Sequence, residues 1–211
     1  MRESVPSMKI RLAQESDLAP VLAMFDGIME WLVAQGRTAQ WGTEPWSKRR
    51  ELVQRVEDRI ARGELRVAVE PRPAAAGDGV GGVGVGGDVG DGGGGGADGG
   101  DADEDVLGVV SFSGQCSDYV SSPPEPELFI NLLGTSRQAK GRNVGGVLID
   151  ESRAEARRRG LRLVRVDCFA GDDGRLRDWY VSQGFEAVEP FAVRRPGLPD
   201  WPGMLLQQYL A

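Results

Sequence analysis

A basic, glycine-bearing turn near the middle of the chain has the residue types that bind phosphate. An apolar run ending at Leu133 leads into residues 134–146, and helical spacing then continues to about Arg159. A helix N-terminus presents unpaired backbone N–H groups and a partial positive charge, so it holds phosphate groups well. Gly141, Gly145 and Gly146 allow close backbone approach, and Lys140 and Arg142 add positive charge. We interpret the turn as the pyrophosphate-binding site of a coenzyme.

The chain lacks some of the side chains that commonly carry out chemistry. It has no histidine and two cysteines, Cys116 and Cys168. The missing histidine excludes a histidine-based catalytic triad, a histidine base and a histidine-ligated zinc. Two cysteines do not form a disulfide framework, so we expect a reducing, cytoplasmic setting. Neither an 18-residue apolar run nor the apolar core of a signal peptide is present, so no membrane span is expected.

The net charge of −7 comes from one segment. Residues 77–105 carry eight acids and no Lys or Arg, and the rest of the chain has 24 acids against 25 basic residues. Nucleic-acid binding is therefore not indicated. The low-complexity stretch 72–105 predicts a flexible Gly/Asp-rich insertion within a single domain of residues 1–211. Its G-x-G-x-x-G match at Gly82, Gly84 and Gly87 is not a dinucleotide site, because no helix can follow it.

Hydrophobic periodicity supplies the elements that position the turn. Alternating or continuous apolar runs predict strands at 8–12, 64–69, 106–112, 128–133, 161–169, 191–193 and 204–209. Helical spacing predicts helices at about 18–35, 47–62, 144–159 and 175–183. Strands 64–69 and 106–112 should pair as a hairpin around the insertion. The loop at 36–46 carries Trp41 and Trp46, which can line a binding site or fill the core; both interpretations stay open for Trp41, and packing is favoured for Trp46.

Two motifs together resemble those of the GCN5-related N-acetyltransferases (GNATs). That family has a strand, [Q/R]-x-x-G-x-[G/A], a helix, a strand, a short helix and Y-x-x-x-G-F. Here the first motif aligns with Lys140-Gly141-Arg142-Asn143-Val144-Gly145, and the second is Tyr180-Val181-Ser182-Gln183-Gly184-Phe185. Lys140 replaces the usual Gln or Arg, and Asn143 replaces a glycine but tolerates left-handed backbone angles. The resemblance spans nearly the whole chain and implies an α/β GNAT fold with a mixed central sheet of about six to seven strands and about four helices.

The resemblance also implies an activity and a co-substrate. The activity is acetyl transfer from acetyl-CoA to a primary amine by direct attack in a ternary complex, without a metal. Backbone N–H groups of Arg142 to Gly146 would hold the pyrophosphate, and backbone groups of Leu133 and Thr135 would pair with the pantetheine. Asp173 stands where many relatives carry an Asn that touches the pantetheine. The implied coenzyme-binding residues are Leu133, Gly134, Thr135, Lys140, Gly141, Arg142, Asn143, Val144, Gly145, Gly146 and Asp173.

The resemblance makes Tyr180 the catalytic candidate, because a phenol can protonate the departing thiolate. A backbone N–H near Leu133 or Gly134 would polarise the thioester carbonyl. Trp41 and Asn131 are expected at the acceptor site. No general base stands out, and water could serve; the acids considered are Glu44, Glu125, Glu127 and Asp167. Cys168 is expected in the core, with a covalent acetyl-Cys route as a minor alternative.

Two other functions stay open at this stage. Residues 134–141 nearly match the phosphate-binding G-x-x-x-x-G-K-[S/T], but Ala139 replaces the second glycine and Gly141 replaces the Mg²⁺-binding hydroxyl residue. A catalytically silent acetyl-CoA sensor is the second alternative. The acceptor can be a small-molecule or a peptide amine, with neither nucleic acid nor membrane as partner, and the protein can be a monomer or a homodimer.

Overall fold

The computed structural model describes residues 8–72, 104–171, 173–195, 197 and 199–211. The strands are β1 (Lys9–Leu12), β2 (Leu65–Pro71), β3 (Glu104–Ser113), β4 (Glu127–Thr135), β5 (Leu163–Phe169), β6 (Glu186–Val193) and β7 (Trp201–Tyr209). The α-helices are α1 (Leu18–Ala34), α2 (Arg50–Ala61), α3 (Val144–Arg158) and α4 (Arg175–Ser182). Short 3-10 helices lie at Glu15–Asp17, Trp46–Lys48 and Arg137–Ala139.

The seven strands form one mixed sheet in the order β1-β2-β3-β4-β5-β7-β6. The β4–β5 pair is parallel, and the other pairs are antiparallel. The predicted mixed α/β architecture is confirmed, as is the hairpin of β2 and β3. Among the described helices, none is both long and apolar enough to cross a membrane.

The chain between β2 and β3 includes most of the predicted insertion. Residues 73–103, with the glycine match at Gly82, Gly84 and Gly87, lie outside the described residues. The ends of the predicted segment are structured, because β3 begins at Glu104, two residues before the predicted strand. Arg72 Nε donates to Asp105 Oδ1 at 2.8 Å across the hairpin. The segment predicted as flexible, 72–105, therefore overlaps the hairpin at both ends, by Arg72 at its start and by Glu104 and Asp105 at its end.

The helices cover the two faces of the sheet in pairs. Side chains of α1 and α2 form one core with odd-numbered residues of β2, such as Val67 and Val69. Side chains of α3 and α4 form a second core on the opposite face, with Ala68 of β2 and Val166 of β5. The alternation follows from the strand period of two, which sends successive side chains to opposite faces. Each functional side chain on a strand can therefore be assigned to the α1–α2 face or the α3–α4 face.

Strands β4 and β5 separate halfway along their length. They pair over Glu127–Ile130 and Leu163–Val166, and no later β4 residue pairs with β5 in the part of the chain that the structure describes. The β3–β4 register shifts at the same point, where Ser111 opposes Leu132 and Phe112 opposes Ile130, so Asn131 is an extra residue. Such a bulge bends its strand away from the neighbouring strand. A gap thus opens along one edge of β4, from Asn131 to Thr135.

Candidate active site

The phosphate-binding turn lies between β4 and α3, as predicted. Gly141 has φ +85°, and Asn143, the N-cap of α3, has φ 55° and ψ 27°. Asn143 is the one non-glycine residue with positive φ among those described, which agrees with its tolerance of left-handed angles. The first helical hydrogen bond runs from Val147 N to Asn143 O at 3.1 Å. The N–H groups of the three preceding residues, 144–146, therefore have no partner inside the helix and can receive an anion.

Two glycines of the turn are explained by their neighbours. A Cβ at Gly146 would lie 2.5 Å from Asn143 Oδ1, and a Cβ at Gly145 would lie 2.8 Å from the Trp179 ring. The Asn143 side chain thus folds over the first turn of α3, on the surface that would hold the pyrophosphate. Trp179 packs against the same turn from α4.

The backbone N–H of Arg142, predicted to bind the pyrophosphate, has a partner within the protein. Its backbone N–H donates to the Ala139 carbonyl at 3.1 Å, so this donor is already used within the turn. Its guanidinium pairs with Glu70 of β2, with Nη1 to Oε1 at 2.6 Å. The pair raises the pKa of Arg142 and lowers that of Glu70. The predicted row of N–H donors is therefore shortened at its start, whereas the Lys140 side chain is exposed beside the turn.

The pairing of β4 with β3 shows which backbone groups of β4 face the gap. Ser136 N donates to Leu107 O of β3 at 2.8 Å. Because backbone direction alternates along an antiparallel strand, Gly134 also faces β3, and the N–H and C=O of Leu133 and Thr135 face the gap. The orientation of Leu133 and Thr135 agrees with the predicted pantetheine pairing. Gly134 does not offer a free N–H, and it has another role: a Cβ there would lie 2.6 Å from the Phe25 ring.

Tyr180 lies in the core between α4 and β5. It is 4% exposed and makes edge contacts with Trp179 and Phe185, at ring-centroid distances of 4.8 and 5.8 Å. Burial raises the pKa of the Tyr180 hydroxyl above its ordinary value. No hydrogen bond of this hydroxyl is found among the described residues. The group therefore stays protonated at neutral pH and has a proton to donate.

Asp173 does not present a free carboxylate to the gap. It forms ion pairs with Arg37 of the α1–α2 loop and with Arg175, the latter at 2.9 Å, and it accepts from Arg175 N at 3.2 Å. These contacts tie the start of α4 to the loop on the other face of the sheet. The predicted contact with pantetheine would have to compete with two arginines.

The structure separates the four acids considered as general bases. Glu127 is 2% exposed and pairs with Arg165 on β5, with Oε1 accepting from Nη2 at 3.0 Å. This pair raises the pKa of Arg165, and it joins the two strands just before they diverge. Glu44 is exposed on the α1–α2 loop, and Glu125 lies in the β3–β4 loop with a buried Oε1 that has no hydrogen-bond partner in the described part of the chain.

Asp167 is the acid placed at the gap. It follows Val166, the last β5 residue paired with β4, and alternation puts its side chain on the α1–α2 face. Tyr119 Oη donates to its Oδ2 at 3.2 Å. Burial raises the pKa of Asp167 to about 6, against the opposing effect of the Tyr119 hydrogen bond. Such a carboxylate is largely ionised at neutral pH and is basic enough to accept a proton.

Tyr119, the hydrogen-bond partner of Asp167, belongs to a cluster of aromatic side chains. Tyr119 stacks on Phe191 at 5.3 Å, and Trp201 lies 6.1 Å from Phe191 and 5.6 Å from Phe169 between ring centroids. Nothing in the sequence pattern of the β3–β4 loop singles out Tyr119 as a partner of Asp167. The contact depends on a loop folding onto a strand 48 residues away.

Trp41 and Asn131, the predicted acceptor-site residues, both lie on the α1–α2 face. Trp46 is buried and stacks on Phe25 at 4.1 Å, so it packs as favoured. Trp41 is half-buried at the edge of that cluster, 5.8 Å from Phe25. Asn131 Oδ1 accepts from Arg59 Nη1 at 3.2 Å, a partner that the sequence did not indicate.

Cys168 points into the α3–α4 core, as expected. Burial raises the pKa of its thiol to about 12, so almost none is present as the nucleophilic thiolate at neutral pH. This argues against the covalent acetyl-Cys route. Cys116 and Cys168 are both free thiols.

Comparison with known proteins gives a result for the fold and none for the sequence. No protein-family model and no curated protein matches the chain. Among solved structures, a GNAT-family acetyltransferase from Listeria monocytogenes is similar, with 16% identity, a TM-score of 0.58, and 96% of this chain and 95% of that chain covered. Ribosomal-protein-alanine N-acetyltransferase from Brucella melitensis is similar at 19% identity and a TM-score of 0.55, with 96% and 99% covered.

A third similar structure contains a coenzyme. It is a Salmonella typhimurium protein named as an acetyltransferase and solved with its cofactor acetyl-CoA, at 16% identity and a TM-score of 0.56, with 97% of this chain and 94% of that chain covered. At these identities the likeness concerns the fold. The chain has the GNAT acetyltransferase fold over nearly its whole length, which confirms the predicted resemblance.

Proposed function

We propose that this protein is an N-acetyltransferase that passes the acetyl group of acetyl-CoA directly to a primary amine. The observation that carries the proposal is the unpaired edge of β4, which runs from Asn131 to Thr135 and leads to the free N–H groups at the start of α3. An extended pantetheine can pair with Leu133 and Thr135 as an added strand, and the pyrophosphate can bind the N–H groups of 144–146. The residues present therefore fit acetyl-CoA.

Asp167 and Tyr180 are assigned the two proton transfers. Asp167 lies on the α1–α2 face of the gap, and Tyr180 lies on the α3–α4 face. The amine, as an ammonium ion, would approach from the first face and lose one proton to Asp167, which passes it to solvent. Its neutral nitrogen then attacks the thioester carbon. As the C–S bond breaks, Tyr180 donates a proton to the sulfur, and the second proton released by the nitrogen reprotonates Tyr180. The products are an amide and the free thiol of coenzyme A.

Leu133 is assigned the role of polarising the thioester carbonyl. Its N–H faces the gap, where it can donate to the thioester oxygen as negative charge develops there. Gly134 cannot share this role because its backbone groups face β3. One donor from the strand thus serves both to align the co-substrate and to polarise it.

An acetyl-CoA sensor without transferase activity is the second candidate. The Asn143 side chain covers the first turn of α3, and Asp173 is held by arginines, so two coenzyme contacts differ from those that the resemblance implies. Such a module would bind acetyl-CoA without passing the acetyl group to any amine.

One set of measurements separates these functions. Acetyl-CoA affinity is measured by calorimetry, and thiol release is followed with a panel of small-molecule and peptide amines. We expect saturable acetyl-CoA binding and amine-dependent thiol release. Binding without release for every amine would favour the sensor, and binding of ATP with Mg²⁺ but not of coenzyme A would overturn both.

A further inference from the structure

A polar pocket of about 300 Å³ lies beside Asn131, under the C-terminal end of α2. Residues from the end of α2, from the turn before β2, from the end of β3, from the β3–β4 loop and from β4 line it. It opens on the α1–α2 face, the face on which Asp167 lies. The proposed mechanism uses Asp167 but leaves this pocket without a role.

Arg59 and Arg62 are the cations among the residues that line the pocket, and Glu64 and Asp118 are its acids. Arg59 is the more buried of the two cations, and it is only partly neutralised. Its Nη1 donates to Ser111 Oγ at 2.7 Å and to Asn131 Oδ1 at 3.2 Å, and the nearest carboxylate oxygen, of Glu64, is 3.7 Å away. Its Nε is buried and has no hydrogen-bond partner in the part of the chain that the structure describes. Burial lowers the pKa of Arg59. Because the Glu64 carboxylate lies as far as 3.7 Å from the guanidinium, an anionic ligand in the pocket can pair with Arg59.

The sheet places this cation close to Asp167. Ser111, Asn131 and Asp167 lie on adjacent strands, β3, β4 and β5, with their side chains on the same face. Neighbouring strands are about 4.8 Å apart, so Asn131 stands one strand away from Asp167, or slightly more where the strands diverge. Arg59 contacts Asn131 directly. A ligand that spans Asp167 and Arg59 therefore needs a proton-donating nitrogen and an anionic group only a few bonds apart.

We propose that the acceptor is an α-amino acid or a close analogue, whose carboxylate binds Arg59 while its amine faces Asp167. This inference rests on the proposed function and names the substrate class of the same site. The guanidinium offers donors in a planar fork that matches a carboxylate, and Asn131 holds that fork in place. The pocket volume suits a small molecule, so a free amino acid is preferred to a peptide, whose first carboxyl group is an uncharged amide.

The test uses matched acceptors that differ only at the carboxyl group. Each proteinogenic amino acid is compared with its amide, and leucine also with 3-methylbutylamine, in the thiol-release assay. We expect kcat/KM for the preferred amino acid to exceed that for its amide by about 10- to 100-fold, the range for hydrogen bonds to charged groups. Equal values for amino acid and amide would overturn the proposal while leaving the transferase function intact.

Arg59 variants show whether this residue makes the difference. Arg59→Gln should lower kcat/KM for the amino acid to that of the amide and leave the amide unchanged, and Arg59→Lys should restore part of the preference. Arg50→Gln, at an exposed site on the same helix, is the control and should change neither. An equal loss for both substrates, together with a lowered melting temperature, would show that Arg59 only supports the fold.

A second readout does not depend on turnover. Calorimetry with coenzyme A present should detect binding of the amino acid by the wild-type protein, and weaker or no binding by Arg59→Gln. If no amine is acetylated but the amino acid binds through Arg59, the transferase function fails and the carboxylate site stands. If coenzyme A binds and amines are acetylated but the amino acid shows no Arg59-dependent binding, the carboxylate site fails alone.

Discussion

The two halves of the proposed site are built in different ways. The coenzyme half is one continuous segment, from Leu133 to Gly146, and it works mainly through backbone groups. The acceptor half is assembled from α2, the β3–β4 loop and three strands, and it works through side chains such as Arg59, Tyr119 and Asp167. Backbone donors require only a local conformation, whereas side-chain groups require the correct residue type at several distant positions.

This difference explains why similarity of fold bears on the coenzyme half, which depends on backbone, and not on the acceptor half, which depends on side chains. A fold shared at 16–19% identity can keep a strand edge and a helix N-terminus, because many sequences form them. It does not keep the particular side chains that surround an acceptor. The proposed acetyl transfer thus rests on the coenzyme half, and the proposed substrate class rests on the acceptor half.

Removing the Tyr180 hydroxyl is expected to have the largest effect on turnover. Tyr180→Phe should lower kcat by about 10²- to 10⁴-fold, the range for a general acid, with little change in acetyl-CoA affinity. Thiol-release kinetics and calorimetry measure the two quantities. Tyr209→Phe, at an exposed site on β7, is the control. Unchanged turnover in Tyr180→Phe would remove this residue from the mechanism.

Substitution of Asp167 should mainly lower turnover, whereas substitution of Glu127 should mainly lower stability. Asp167→Asn should lower kcat by about 10²-fold or more while the protein stays folded. Glu127→Gln should instead lower the free energy of unfolding by about 3–5 kcal/mol, because it leaves Arg165 buried without its partner. Denaturant unfolding and turnover are measured for both variants. If Glu127→Gln lost activity without losing stability, the assignment of the base would be reversed.

The pH dependence provides an independent check on Asp167. Because Asp167 must be ionised to accept a proton, kcat/KM should rise with pH through an apparent pKa of about 6, and Asp167→Asn should lose this limb. The stability effect has the opposite sign. A folded-state pKa above the unfolded value near 3.9 means that Asp167 stabilises the protonated folded state below about pH 4, and this contribution, about 3 kcal/mol, is lost as pH rises to 6. Wild-type stability measured relative to Asp167→Asn should therefore fall across that range.

A substitution in the phosphate-binding turn should have a smaller effect. Asn143→Gly should tighten acetyl-CoA binding by up to about 10-fold, since it uncovers the first turn of α3 and suits the left-handed backbone. Asn143→Ala serves as the control, because it also removes the side-chain amide but keeps a Cβ in a left-handed conformation. Weaker binding in both variants would mean that the Asn143 amide is itself a phosphate ligand.

The sequence was most informative where function depends on local backbone conformation. The strand, the turn with Asn143 as a left-handed residue, and α3 were predicted, as was the short helix that carries Tyr180. The sequence did not indicate the ion-pair partners that lie far away in the chain. Arg142 pairs with Glu70, and Asp173 pairs with Arg37, because the fold brings an oppositely charged side chain close to each of them.

What the sequence determined by itself is the order of elements and the existence of a glycine-bearing turn at the start of α3, because periodicity and glycine placement act over a few residues. Tertiary structure decided which acid lies at the gap and which cation lies beside it. Glu127 and Asp167 could not be ranked from the sequence, since neither the loop that ends at Glu127 nor the predicted strand of Asp167 shows which carboxylate the fold buries beside a cation. The end of the β4–β5 pairing at Ile130 and Val166 separates them: before it a carboxylate is buried with Arg165, and after it a carboxylate faces an open cleft.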